Sequence, residues 1–130
     1  SRERRGDSAR RRATTTRAAR ALRQRKRLIA QYLSEAKAQQ NNPSAFYAAL
    51  ERSLHLFLKA QLKLETSGLS KENISALMAQ RQVAAEAIER LIGLIERCER
   101  ARYAPSTAVD VQNDYSEAQE VISMINTAKR

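Results

Sequence analysis

The chain has 130 residues, with 24 Lys+Arg against 14 Asp+Glu, one His, one Cys, three Gly and two Pro. That length fits one domain able to bury a core without disulfides. A lone Cys excludes an intramolecular disulfide and a Cys-rich zinc site, and it fits a reducing compartment. So few turn-forming residues exclude an all-β sandwich or barrel.

The net charge of +10 lies at one end. Residues 1–27 hold twelve basic groups against Glu3 and Asp7, while residues 28–130 are balanced at twelve of each sign. The protein therefore reads as a neutral domain, residues 28–130, behind a basic arm, residues 1–27, and any anionic partner must be met by the arm. No run of 18 apolar residues is present, as a membrane-spanning helix would need, and no signal-peptide pattern is visible. The chain begins with Ser rather than Met and reads as a fragment of a longer protein.

In chain order, residues 1–13 are charge-dense with nothing to bury, and are expected to be unstructured. Thr14, Thr15 or Thr16 is placed to cap a helix starting near Arg17. Leu22, Ile29, Leu33 and Ala36 then recur at helical spacing, with Tyr32 alongside. Asn41-Asn42-Pro43 ends this helix, because the residue before Pro is pushed out of the α region.

Pro43 or Ser44 opens a second helix. Its broad stripe is Phe46, Leu50, Leu54, Phe57, Leu58 and Leu62, with Tyr47 widening it. Thr66-Ser67-Gly68 is expected to stop it, with Gly68 as the left-handed cap. Ser70 caps a short third helix, with Ile74, Leu77 and Met78 facing inward and Glu72 favourable in its first turn.

Residues 81–84 read as a tight break, with Val83 tucked into the core. A fourth helix runs to about Tyr103, with Ile88, Leu91, Ile92, Ile95, Cys98 and Arg102 on one face. Gly93 inside it costs about 1 kcal/mol relative to Ala, tolerable where another backbone comes close. Pro105 ends it and residues 106–108 form a loop. Asp110 caps the last helix, with the stripe Val111, Tyr115, Ala118, Val121 or Ile122, and Ile125. The expected fold is all-α: a compact antiparallel bundle of four to five helices, preceded by a basic, partly disordered arm.

Little catalytic chemistry is legible. His55 lies one step off the apolar stripe with no constellation around it, and reads as a boundary histidine. Cys98 reads as a small buried hydrophobe. The alternative is a thiol activated by Arg97, Arg100 and Arg102, which exposure would decide. There is no Gly-rich phosphate loop, HExxH or GxSxG. An enzyme is not expected, nor any cofactor or metal.

One cluster rises above composition: Cys98-Glu99-Arg100-Ala101-Arg102-Tyr103-Ala104-Pro105. Glu99 and Arg102 are spaced to pair at i, i+3. The Tyr103 ring can pack under the following loop. Glu99, Arg102, Tyr103 and Pro105 are the candidate partner-binding residues.

With Leu69-Ser70, Ile74, Leu77, Val83, Glu86, Ile88 and Leu94 before it, this run resembles the C-terminal cytoplasmic region of BatD, the Bacteroides aerotolerance family. Phe46-Tyr47, Ala49-Leu50 and Phe57-Leu58 are similar to that family's first core helix, so the likeness covers about residues 44–125. Gln82 departs from the pattern, where a glycine is expected before Val83.

The resemblance implies a bacterial single-pass inner-membrane protein with a large periplasmic β-rich part, of which this would be the helical cytoplasmic domain, soluble by itself. It implies a role in tolerance of oxygen or other stress. It implies partners from the same system, a MoxR-type AAA+ ATPase or von Willebrand A-domain proteins, and it carries over no catalytic residue. The arm then becomes a juxtamembrane segment: Lys and Arg hold that end in the cytoplasm and contact anionic lipid, with Arg10, Arg11, Arg12, Arg17, Arg20 and Arg23 as the candidates. The helix from Arg17 would act as a stalk between bilayer and bundle. The rival reading is a helical nucleic-acid-binding protein using the Arg-rich arm, against which stand the neutral domain and the lack of an aromatic platform near the arm.

Overall fold

The computed structural model describes residues 2–103 and 109–128, with side chains from 16 to 103 and from 109 to 126. All regular structure among them is helical: α1 (Arg2–Ala38), α2 (Pro43–Leu62), α3 (Lys71–Gln80), α4 (Ala85–Tyr103) and α5 (Val111–Ala128). Among the described residues no helix is long and apolar enough to cross a membrane.

Four of the helices form the bundle. α1 packs on α2, α2 on α4, α4 on α5, and α5 closes back on α1. Each neighbour runs antiparallel. Tyr47 near the start of α2 and Arg97 near the end of α4 both meet Asp114 at the start of α5. Residues 63–70 climb back along α2, and α3 descends beside α4 before the chain turns into it.

The centre is filled as the apolar spacing requires. Phe46, Leu50, Leu54, Phe57 and Leu58 of α2 are fully buried, against Leu33 of α1, Leu91 and Leu94 of α4, and both Val121 and Ile122 of α5. The Tyr32 ring meets Phe57 edge-on at 5.2 Å, and Phe46 meets Tyr47 at 5.0 Å. Such pairs add about 0.5–1.5 kcal/mol to the burial itself. Val83 is buried as expected, and the half-buried Ile29, Leu77, Ile88, Ile92, Val111 and Tyr115 ring this core.

Two of the expected caps form, Ser70 and Asp110, and Asn42 supplies a third that was not expected. Asn42 accepts from the Ala45 N–H at 3.3 Å, Ser70 from the Asn73 N–H at 3.1 Å and Asp110 from the Asn113 N–H at 3.0 Å. Each satisfies a donor that the first helical turn leaves over.

Four expectations need correction. First, α1 starts at Arg2, not near Arg17, and Thr14, Thr15 and Thr16 lie inside it. Arg and Ala, which make up most of residues 9–27, are among the best helix formers, and each Thr costs at most about 0.7 kcal/mol. Second, α2 ends at Leu62, earlier than the Thr66-Ser67-Gly68 stop. Lys63 adopts the left-handed cap (φ 59°) and donates its N–H to the Leu58 and Lys59 carbonyls. The turn lets Leu62 and Leu64 both reach the core, 8 % and 4 % exposed.

Third, Gly68 (φ 81°) is the left-handed residue of a separate turn, closed by the Leu69 N–H to the Thr66 carbonyl at 3.1 Å. Positive φ at the third position of such a turn suits glycine. Fourth, no backbone crowds Gly93: a Cβ there would meet only the Arg97 Nη1, at 3.5 Å.

Gln82, the position at which glycine was expected, has φ 64°. A left-handed conformation costs an ordinary L-residue about 1–2 kcal/mol. The break needs it because the Val83 N–H returns to the Met78 carbonyl at 3.1 Å, turning Val83 inward.

Candidate functional site

α4 carries its charged residues to the corner where α2, α3 and the 63–70 segment meet. Arg100 and Arg102 lie in its last turn, where cations oppose the helix dipole. Glu99 and Arg102 do not pair with each other, because they face different neighbours. Glu99 accepts from the Lys71 Nζ at 3.2 Å, tying the first residue of α3 to α4. Arg102 donates to Glu51 of α2. The Glu51 carboxylate is 14 % exposed and raises the Arg102 pKa further above its ordinary value.

Tyr103 comes next and is 79 % exposed. The Arg102 guanidinium carbon is 6.0 Å from its ring centroid, and the loop under which the ring was expected to pack lies outside the described residues. That distance is at the outer limit of a cation–π contact. Pro105 lies outside the described residues. Three of the four candidates therefore share one corner: two are held in ion pairs to other helices and one is presented to solvent.

Beside them lies an open cleft of about 430 Å³, lined by Glu51, His55, Leu56, Thr66, Gly68 and Arg102 among others. His55 Nδ1 and Thr66 Oγ1 are 2.6 Å apart, a hydrogen bond from α2 to the returning segment. His55 Nε2 is 4.0 Å from Glu51. Burial lowers the His55 pKa below 6.5, with the Glu51 carboxylate opposing. His55 is thus a half-buried boundary side chain with a hydrogen-bond partner.

Cys98 is 1 % exposed. Burial, helped by Glu51 and Asp114, pushes its thiol up to about 12, and Arg97 and Arg102 only partly offset this. The three nearby arginines do not activate it. Among the described residues no group of three His, Cys, Asp or Glu side chains is placed to hold a metal.

Toward α5 lies a polar triad of the buried Tyr47 and Asp114 with the part-exposed Arg97. The Tyr47 hydroxyl donates to Asp114 Oδ2 at 2.5 Å, and the Arg97 Nε donates to Asp114 Oδ1 at 2.7 Å. Asp114 is 3 % exposed. Burial and this hydrogen bond raise the Tyr47 pKa well above its ordinary value. On the far side, Arg90 of α4 pairs with Glu117 and Glu120 of α5. Its hydrogen bond lowers the Glu117 pKa.

Of the lipid candidates, Arg17, Arg20 and Arg23 are exposed on α1, while Arg10, Arg11 and Arg12 belong to the same helix with side chains outside the described set. Glu51, Thr66, Lys71 and Asp114 carried no signal in the sequence as site residues. Glu51, Lys71 and Asp114 have partners 51, 28 and 67 residues away, and Thr66 lies in a segment that read only as a helix stop. No family model, no curated protein and no solved structure matches this chain.

Proposed function

We propose that the bundle is a non-enzymatic cytoplasmic interaction domain of a single-pass inner-membrane protein of the aerotolerance type. Its partners are proteins of the same system, a MoxR-type AAA+ ATPase or a von Willebrand A-domain protein. The observation that carries the reading is Tyr103: a 79 % exposed aromatic on the end of a helix that Glu51 and Lys71 hold in place. Tyr and Arg dominate binding hot spots, and a rigid support lowers the entropy lost on binding. Leu56, 55 % exposed, lines the cleft beside Arg102 and extends the apolar contact.

In this reading the exposed Arg17, Arg20 and Arg23 of α1 lie against anionic headgroups, and α1 joins bilayer to bundle. At 1.5 Å per residue, 37 residues span about 55 Å, roughly twice the length of α5.

The test is binding of the purified ATPase and A-domain proteins to the chain and to Tyr103→Ala. Tyr103 is largely exposed, so the fold should survive, as circular dichroism will show. A hot-spot tyrosine predicts at least about 2 kcal/mol, roughly thirty-fold weaker binding. Unchanged affinity for a partner that binds the parent chain would refute the patch. A second reading, nucleic acid bound by the arm, is favoured by the exposed Arg17, Arg20, Arg23 and Arg25 on one helix. It predicts steep salt dependence on duplex DNA, which a chain beginning at Leu28 should lose.

A further inference from the structure

The opposite side of the bundle carries an elongated groove between α1 and α5. Two adjoining depressions of about 710 and 870 Å³ share Lys26, Ile29 and Gln119. Its apolar floor is Leu22, Ile29 and Ala30 of α1 with Tyr115 and Met124 of α5. Leu22 is 49 % exposed. Its rim is basic, through Arg25, Lys26 and Lys37. Among the described residues no carboxylate lies within ion-pair distance of these three. The acids on the α5 edge, Glu117 and Glu120, are already taken by Arg90. The groove is thus apolar at its base, positive at its rim, and follows α1 from Leu22 to Ala38, about 24 Å at the helical rise.

We infer that this groove docks an acidic amphipathic helix of a partner protein, about four turns long. Its apolar stripe lies on Ile29, Ala30 and Met124, and its flanking Glu or Asp side chains meet Arg25, Lys26 and Lys37. Charge complementarity selects this occupant. A second copy of the chain would bring a second positive rim, and its own acidic residues sit on helices whose apolar faces are already buried. Nucleic acid gains nothing from an apolar floor, and a bilayer surface meets the rim and the exposed Leu22 and Ala30 but not Tyr115, half-buried between the two helices.

The experiment uses the full chain and a fluorescent helical peptide of about sixteen residues, with Leu at i, i+3, i+4 and i+7 and Glu elsewhere. Anisotropy should show saturable binding below about 100 µM. Lys26→Glu with Lys37→Glu should weaken it at least about tenfold. Ala30→Glu, at an exposed position, should do the same while Tyr103→Ala leaves it unchanged. Absence of binding, or equal binding of a scrambled peptide of the same composition, overturns the proposal. So does a loss of binding to anionic vesicles or duplex DNA on Ala30→Glu as large as the loss for the peptide, which would assign the face to a membrane or to nucleic acid.

Discussion

Replacing Tyr47 by Phe removes one hydroxyl from the interior and nothing else. The ring stays in place against Phe46, so no cavity opens. Asp114 Oδ2 loses the donor it holds at 2.5 Å, while Oδ1 keeps Arg97 at 2.7 Å. A hydrogen bond to a charged group contributes about 1.5–3 kcal/mol, and a buried acceptor left without a donor keeps its desolvation cost. Asp114 is 3 % exposed, so water does not readily replace the hydroxyl. We expect Tyr47→Phe to lower stability by about 2 kcal/mol, a fall in Tm of roughly 6–10 °C for a chain this size. Asp114→Ala should cost about 2–4 kcal/mol, because it orphans the Tyr47 hydroxyl and the charge of Arg97. The Arg97 share is the smaller, since 37 % of its side chain is exposed and water can rehydrate it. The assay is urea unfolding followed by far-ultraviolet circular dichroism, with the double variant closing the cycle. A coupling under about 0.5 kcal/mol would refute the reasoning, since contacting residues in one network couple by more than that.

Other consequences follow from single positions. Gly93→Ala should raise stability by about 0.5–1 kcal/mol, because the new methyl meets only a flexible arginine end at 3.5 Å; a loss in the urea midpoint would mean that the site is closed. Gln82→Gly should also stabilise, by about 0.5–1 kcal/mol, as relief of the positive φ outweighs the extra freedom of the unfolded chain. Gln82→Ala is the control and should show no gain. Burial lowers the His55 pKa, so below 6.5 the unfolded chain takes up a proton that the folded chain resists. Stability should therefore fall as pH drops from 6.5 towards the folded pKa and then level, and a pH series of urea midpoints should lose that step in His55→Gln. The Glu117 pKa is lowered instead, so its contribution is present above 4.5 and disappears at lower pH, as the carboxyl is protonated through its folded pKa.

The bundle was legible where local chemistry and burial agree. The α2 stripe from Phe46 to Leu62 repeats at helical spacing and is the centre of the core. Ser70 and Asp110 cap because short polar side chains before an apolar run accept from the first turn, and Asn42 does so for the same reason without having been read as a cap. The end of α2 was not legible. Lysine has no preference for a left-handed cap, and only the need to bury both Leu62 and Leu64 puts it there. α1 was misread for the converse reason: residues 2–13 have nothing to bury, yet arginine and alanine form helix on their own propensity.

The corner at the end of α4 separates what a sequence can place from what it can pair. Its charged run was visible as a cluster, and spacing alone suggested Glu99 with Arg102. On the helix these two diverge, one to Lys71 of α3 and one to Glu51 of α2. Those partners lie 28 and 51 residues away, and only the packing order of the helices identifies them. Asp114 is the stronger case, a carboxylate that composition assigns to solvent and the fold buries between α2 and α4. The pairing also changes what each candidate does. Glu99 and Arg102 clamp the last turn of α4 to two neighbours, and replacing either one disturbs the clamp as well as the surface. Tyr103 reaches no other helix and contacts only its neighbour Arg102 at the surface, so a loss of binding in Tyr103→Ala reads more directly on the surface than a loss in Arg102→Ala.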